Sequence, residues 1–176
     1  IYARDRGVLM VASTGNDPGA LVGYPARWGS VIAVGGTNNR DEAFEAGTTG
    51  PEMDLSAPGD LMMTTIDTTA QPNGYSFQSG TSMSVPVVSA AAALVWGVAP
   101  QLTAPEVRQI LENTSDDLGL PGRDDVFGVG RVNVYRAVLG ARDTLWCPSD
   151  LNYSGGSTEQ DLFEFLSLFF AGDLRA

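Results

Sequence analysis

The chain has 176 residues, 43% of them apolar and 18% charged, with 21 glycines, which is typical of a globular protein rich in tight turns and excludes a disordered or fibrous chain. Ten basic residues against 21 acidic ones leave a net charge of −11, which argues against nucleic acid or an anionic membrane surface as a partner. The single Cys147 excludes an internal disulfide, and the absence of histidine excludes a Cys/His zinc cluster.

No apolar stretch reaches the roughly 20 residues that a membrane-spanning helix requires. The longest candidate, Val85 to Ala99, is interrupted by Pro86 and Ser89. We therefore expect no membrane span.

Short apolar runs that end in glycine, asparagine or threonine predict strands in the first third of the chain. The segments "GVLMVASTGND" and "SVIAVGGTNN" are nearly continuous apolar runs, as in parallel strands that are buried on both faces. A third short strand is predicted in "EMDLSAPGD", where Pro58 and Gly59 end it. The segments "LMMTTI" and "GYSFQSG" predict an antiparallel pair.

Three helices are predicted in the remainder of this region, so the predicted fold class is α/β. The first runs from Ser82 to about Val98, and its small residues Ala90 to Ala93 would let it lie buried beneath the sheet. The second, in "TAPEVRQILENT", is amphipathic, with Thr103 as the cap and Pro105 in the first turn. The third follows "FGVGRVN".

The segment "SGTSMSVP", residues 79–86, allows two interpretations. Its hydroxyl groups can cap the helix that follows, a contribution of about 1 kcal/mol. Alternatively, Gly80 permits a tight approach of the chain, and Ser82 presents a nucleophilic hydroxyl at the positive end of the helix. A serine nucleophile also needs a base and donors for the oxyanion, which this pattern does not supply.

This segment closely resembles the G-T-S-M-x-x-P signature of the subtilisin-like serine proteases (subtilases, peptidase S8). The segments "VASTGND", "VGYPARWGSVIAVGGTN", "DLSAPG" and "GRVNVYRA" resemble further family landmarks in the same order. The resemblance implies a three-layer subtilisin-like fold with a mainly parallel sheet. It also implies that residues 1–141 are the C-terminal part of the peptidase domain of a secreted or cell-surface protein.

The resemblance further implies roles for individual residues. Ser82 would be the nucleophile, and the amide of Asn16 would stabilise the oxyanion together with the backbone N–H of Ser82. The substrates would be peptide bonds in proteins, cleaved through an acyl-serine intermediate. A deep pocket would take a large apolar or aromatic side chain before the scissile bond, with its wall and floor formed by Ser13, Thr14, Gly15 and Gly23.

The sequence departs from the family pattern in several places. It has no histidine, and nothing in it matches the aspartate that orients the catalytic histidine. In the family both precede the asparagine and the serine, so we expect a fragment that is inactive alone. Val85 and Val87 also depart from the signature. In this respect the chain resembles the sedolisins, which carry an aspartate at the position of Asn16. Asn16 and Met83 favour the subtilisin branch.

Residues 142–149 are predicted to be a linker and residues 150–176 a partial dockerin-like or EF-hand-like module. The loop "DLNYSGGSTEQD" has oxygen-bearing side chains at calcium-loop spacing, although a solvated turn ahead of a helix would explain it too. Such a module implies a cohesin-like or other protein partner. The calcium ligands would be Asp150, Asn152, Ser154, Gly156, Thr158 and Asp161.

Two further hypotheses depend on the resemblance. In the family, a weakly bound cation is often held by loop carbonyls, here residues 26–31, and by a carboxylate, here Asp54; alternatively, Asp54 merely begins a strand. The competing function is a non-catalytic binding or surface protein with a subtilisin-like fold and a calcium-dependent docking module. Aspartate and histidine upstream of these residues would favour the enzyme.

Overall fold

The computed structural model describes residues 2–145 and, in the C-terminal segment, Glu159, Phe163 and Leu166. All six residues predicted as calcium ligands lie outside the described residues. The predicted module and its partner are therefore not addressed by the structure.

Three parallel strands form the central sheet, as predicted. They are β1 (Met10–Ser13), β2 (Val31–Thr37) and β3 (Leu55–Pro58), in the order β1-β2-β3. Every residue of β2 is buried, because β2 lies between the other two strands. All four residues of β1 are only partly buried, so the prediction that β1 is buried on both faces is wrong. Within the described residues, β1 pairs on one side only.

The predicted antiparallel pair is present as β4 (Met62–Thr65) and β5 (Tyr75–Gln78). Met63 is paired with Phe77, and both side chains are exposed. The pair connects the end of the central sheet to the first long helix.

The first helix, α1 (Thr81–Val98), packs against all three parallel strands. Val88, Ala91 and Val95 on its inner face are fully buried. The helix packs on the sheet as predicted, but Ala90 and Ala93 are exposed, so the prediction that these small residues lie buried against the sheet is wrong. Among the described residues, α1 covers the sheet with one face and presents the other to solvent.

A segment long and apolar enough to span a membrane was not expected from the sequence, and α1 shows that this expectation is wrong. The helix has 18 residues and a mean hydropathy of 1.6, which is long and apolar enough to cross a membrane by length and composition alone. The same composition is expected of a helix that packs on a sheet. The contacts of α1 with β1, β2 and β3 account for the buried apolar residues of its inner face, whereas Ala90, Ala93 and Leu94 are apolar and exposed.

Two further helices, α2 (Ala104–Asn113) and α3 (Val134–Leu145), pack against α1 and against each other. The predicted cap of α2 is present, because the Glu106 carboxylate accepts hydrogen bonds from the N–H and the hydroxyl of Thr103, each at 2.7 Å. Pro105 lies in the first turn. α3 runs through residues 142–145, which the sequence assigned to the linker.

The two faces of the sheet are covered differently. Ile32 and Val34 belong to the core that the sheet forms with the three helices. Ala33, on the opposite face of β2, packs against Val22 and Ala26 from the loop between β1 and β2. Residues 2–145 therefore show a mixed α/β arrangement with helices on one face only, and the second helical layer of the expected three-layer fold is not found among them.

Candidate active site

The start of α1 is anchored to the carboxyl ends of the parallel strands. The N–H of Gly80 donates to the carbonyl of Gly59, just beyond β3, at 2.8 Å. The N–H of Gly59 in turn donates to the carbonyl of Thr37, the last residue of β2, at 2.9 Å. Asn16 follows β1 at the same edge of the sheet and contacts the first residue of α1. Ligand sites in parallel sheets are commonly found at this edge.

Ser82 and Asn16 converge on one point in front of Gly80. A β-carbon placed on Gly80 would lie 3.0 Å from Nδ2 of Asn16 and 3.3 Å from Oγ of Ser82. Both residues are exposed. The structure thus brings together the two side chains that the sequence singled out, although they are 66 positions apart in the chain.

The carboxamide of Asn16 is oriented by Thr81. Its Oδ1 accepts a hydrogen bond from the backbone N–H of Thr81 at 2.9 Å and lies 3.0 Å from the Thr81 hydroxyl. These contacts leave the Nδ2 group, a donor, directed toward the point in front of Gly80. Thr81 is 1% exposed, and sequence reasoning assigned it no role, although it stands between Gly80 and Ser82 in the signature.

The neighbouring serines use their hydroxyls elsewhere. Ser79 donates to the carboxylate of Asp60 at 2.6 Å, and buried Ser84 donates to the carbonyl of Ala57 at 2.9 Å. The cap position of α1 is Gly80, which has no side chain, so the interpretation of these hydroxyls as helix caps is wrong. The first N–H of α1 is instead satisfied by Asn16 from a distant part of the chain.

Of the four residues predicted to form a substrate pocket, Ser13, Thr14 and Gly15 directly precede Asn16 in the chain, and Gly23 hydrogen-bonds to Thr14. Ser13 ends β1, and the carbonyl of Thr14 accepts a hydrogen bond from the N–H of Gly23 at 3.3 Å. Thr14 is 1% exposed, so it presents almost no surface to a pocket. A β-carbon on Gly23 would meet no atom within 4 Å, whereas one on Gly15 would lie 2.8 Å from Oγ1 of Thr48. The space in front of Gly23 is therefore open.

Asp54 is bound by two arginines. Its Oδ1 lies 2.7 Å from Nη2 of Arg108 and 3.2 Å from Nη2 of Arg123, and its Oδ2 accepts the N–H of Ala33 at 2.8 Å. Arg108 also donates to the carbonyl of Gly29, one of the carbonyls in the predicted cation site. Since guanidinium groups already neutralise this carboxylate, we do not propose a cation there.

The other acidic side chains of residues 2–145 are not clustered as metal ligands would be. Within residues 2–145, no group of three His, Cys, Asp or Glu side chains is arranged to hold a metal ion. Asp116 forms ion pairs with two arginines, Arg131 at 2.9 Å and Arg136 at 3.1 Å. Hydrogen bonds from Asn133 and then from Arg131 lower the pKa of Asp116.

A cavity of about 810 Å³ lies near the candidate site but does not include Ser82 or Asn16. Its walls include Pro18, two positions after Asn16, and Asp60, the acceptor of the Ser79 hydroxyl. The converging side chains in front of Gly80 are thus on the open surface beside this cavity.

Comparison with known proteins places these features in a family. The subtilase family (peptidase S8) model matches residues 1–130. The chain is 40% identical over 136 residues to the minor extracellular protease Epr of Bacillus subtilis, covering 77% of this chain and 20% of that protein. It is 39% identical to the halolysin-like extracellular serine protease Nep of Natrialba magadii, covering 75% and 23%, and 35% identical to subtilisin BL of Lederbergia lenta, covering 77% and 48%.

A solved structure is also similar. The crystal structure of a lanthipeptide protease superposes with a TM-score of 0.68 at 28% sequence identity, covering 78% of this chain and 52% of that one. The chain thus spans between about a fifth and a half of the length of these relatives. The family match extends across most of the described residues, and we conclude that the chain belongs to the subtilase family.

Proposed function

We propose that this chain contributes the nucleophile, Ser82, and one oxyanion donor, Asn16, to a serine endopeptidase. The observation that carries the proposal is the convergence of Ser82 Oγ and Asn16 Nδ2 on one exposed point in front of Gly80. A peptide carbonyl at that point would have its carbon within reach of the hydroxyl and its oxygen within reach of the amide donor.

The reaction is acyl transfer to water. Ser82 Oγ forms a bond to the carbonyl carbon while its proton passes to a general base, and the carbonyl oxygen takes the negative charge. The Nδ2 of Asn16 and the N–H of Ser82, in the first turn of α1, donate to that oxygen. Collapse of this intermediate breaks the C–N bond, the amine leaves with a proton, and water then hydrolyses the acyl-serine.

We place the general base outside these 176 residues, because the base of the Ser-His-Asp triad is a histidine and the chain contains none. We therefore propose that the chain acts as part of a longer polypeptide that supplies the base and the group that orients it. The chain by itself is expected to show no peptidase activity.

The pocket beside Asn16 supports a preference for large apolar or aromatic side chains. The space in front of Gly23 is open, and a glycine floor adds no side chain that would shorten the pocket. Relatives of the chain are named extracellular or cell wall-associated proteases, which supports secretion of the protein that carries it. A peptide panel that is cleaved only after arginine or lysine would contradict the pocket assignment.

The proposal is tested with a fluorophosphonate probe on the full-length protein. Ser82→Ala is expected to abolish labelling, whereas Ser89→Ala is expected to leave it unchanged, because Ser89 is exposed on the same helix and donates only to the carbonyl of Val85. Labelling that persists in Ser82→Ala contradicts the nucleophile. A folded full-length protein that is never labelled would favour the competing non-catalytic binding function.

Asn16→Ala tests the oxyanion donor. We expect kcat to fall by about 10²- to 10³-fold, the cost established for one such donor in a subtilisin rather than a value obtained from this structure. KM should change little, because the donor acts on charge that develops in the transition state. An unchanged kcat would remove Asn16 from the mechanism.

We further propose, from the sequence alone, that residues 150–161 bind calcium. The support is the spacing of the oxygen-bearing side chains, which starts at Asp150 and ends at Asp161. Calorimetric titration of the full-length protein with calcium should show a site that Asp150→Asn weakens. A titration that is identical in the variant would contradict it.

A further inference from the structure

Thr48 is a buried residue that contacts the backbone on both sides of Asn16. It lies in the segment between β2 and β3 and is 2% exposed. Its backbone N–H donates to the carbonyl of Gly15 at 2.9 Å. Its hydroxyl accepts the N–H of Asp17 at 3.1 Å and donates to the carbonyl of Asp17 at 2.9 Å.

These three hydrogen bonds are made to the residues on either side of Asn16 and not to Asn16 itself. One holds the residue before Asn16 and two hold the residue after it, so the backbone of Asn16 is restrained from both ends. Thr81 restrains the carboxamide itself. The position of Nδ2 therefore depends on two separate supports, one for the side chain and one for the main chain.

The chain segment that carries Thr48 is itself held by backbone hydrogen bonds. Two positions later, the N–H of Gly50 donates to the carbonyl of Asp125 at 2.8 Å, and one position earlier the N–H of Gly47 donates to the carbonyl of Phe44 at 2.8 Å. A β-carbon on Gly47 would lie 3.5 Å from Cγ2 of Thr81. The segment is thus held at both ends and lies against the other support of Asn16.

The fit between Thr48 and Gly15 is close. Gly15 has φ of +122°, a conformation that favours glycine, and a β-carbon there would lie 2.8 Å from the Thr48 hydroxyl oxygen. Glycine at position 15 therefore lets the hydroxyl reach Asp17. This offers a reason for glycine before Asn16 that does not depend on the substrate.

We propose that Thr48 is a positioning residue that sets where the Asn16 amide lies in the transition state. This inference rests on the proposed function. A donor must lie about 3 Å from the oxyanion, and a displacement of about 1 Å at a reacting group can cost about 10²-fold in rate. Removal of the Thr48 hydroxyl keeps the Thr81 contacts to the carboxamide but frees the backbone at Asp17, so the Asn16 amide can shift away from the oxyanion.

The experiment compares Thr48→Val with Thr48→Ser in the full-length protein, each with and without Asn16→Ala. Valine has nearly the shape of threonine and removes both hydroxyl bonds, whereas serine keeps them. Thr37→Val is the matched control, because the Thr37 hydroxyl is buried and has no hydrogen-bond partner among residues 2–145. The kcat values are expressed per active site, counted by the end point of fluorophosphonate labelling.

We expect Thr48→Val to lower kcat by about 10- to 100-fold with little change in KM, and Thr48→Ser and Thr37→Val to stay within about threefold of the wild type. In the Asn16→Ala background the effect of Thr48→Val should disappear, because the group that Thr48 positions is absent. This loss of effect is the result that a merely structural residue would not produce.

Other outcomes overturn the inference. An equal loss in both backgrounds makes Thr48 structural, and a wild-type kcat in Thr48→Val removes the role altogether. If Thr48→Val does not fold, Thr48→Ala is compared with Thr48→Ser in the same two backgrounds, below the thermal midpoint of the less stable variant, and the same criteria apply. If Asn16→Ala has no effect on kcat, the proposed function fails and not merely the role of Thr48.

Discussion

Replacing Gly80 with alanine would place a methyl group at the centre of the candidate site. Gly80 has φ of +151° and ψ of +157°, a region of backbone conformation that is essentially restricted to glycine. The new β-carbon would lie 3.0 Å from Asn16 Nδ2 and 3.3 Å from Ser82 Oγ. It would therefore occupy the point at which we place the substrate carbonyl.

The expected magnitudes follow from these values. A non-glycine residue in this conformation costs about 1–3 kcal/mol, so Gly80→Ala should lower the free energy of unfolding by that amount. The contact with Asn16 Nδ2 is tighter than ordinary van der Waals contact, so the carboxamide or the helix start must shift by a few tenths of an ångström. Since the methyl group also excludes the carbonyl, we expect kcat/KM to fall by at least about 10²-fold, the loss of one oxyanion donor.

The assay combines the rate of fluorophosphonate labelling, kcat/KM on a peptide substrate and urea unfolding of the full-length protein. The control is Gly97→Ala on the same helix, where a β-carbon meets no atom within 4 Å. That substitution should stabilise the helix by up to about 1 kcal/mol and leave labelling unchanged. If Gly80→Ala is labelled at the wild-type rate, no carbonyl binds in front of Gly80 and the reasoning is refuted.

The remaining predictions concern the ion pairs. Asp54→Ala should destabilise the protein by about 1–3 kcal/mol, because it leaves the buried N–H of Ala33 without its acceptor and removes one of the acceptors of Arg108, which keeps Glu112 and the carbonyl of Gly29. Arg123→Gln should cost less than about 1 kcal/mol, because that side chain is 44% exposed. Urea unfolding that ranks the two variants in the opposite order would contradict the assignment. The carboxylate of Asp116 has a lowered pKa, so its stabilising effect is present above the unfolded pKa of about 4 and is lost as the pH falls through the lower folded pKa. Asp116→Asn should therefore lower Tm at neutral pH and flatten the dependence of Tm on pH below about 4, and parallel pH profiles would show that Asp116 does not contribute.

Local patterns predicted most of the elements. The apolar runs ending in polar or glycine residues placed β1 and β2, and Thr103 and Pro105 placed the start of α2. The cause is local in each case, because a buried parallel strand requires continuous apolar residues and a helix start requires a cap. The burial of α1 was predicted less well, because an alanine-rich helix can pack against other elements on one face or on both faces.

The candidate nucleophile and oxyanion donor were identified from short motifs, whereas their supports were not. Thr48 carries no distinctive local signal, and Thr81 stands in the signature without any indication that it contacts Asn16. They act on Asn16 from 32 and 65 positions away in the chain. The arginines that bind Asp54 are also remote, at 54 and 69 positions. A hydroxyl or a guanidinium in a sequence gives no indication of which distant acceptor it will meet.

The sequence by itself determined that an α/β domain with parallel strands forms and that a helix begins directly after Gly80, because these features depend on neighbouring residues. Only the tertiary structure decided that the Asn16 amide faces the Ser82 hydroxyl, that two arginines bind Asp54, and that Thr48 holds the backbone beside Asn16. Those outcomes depend on chain segments that come together only when the sheet and α1 pack, and hydrogen-bond partners are selected by that geometry.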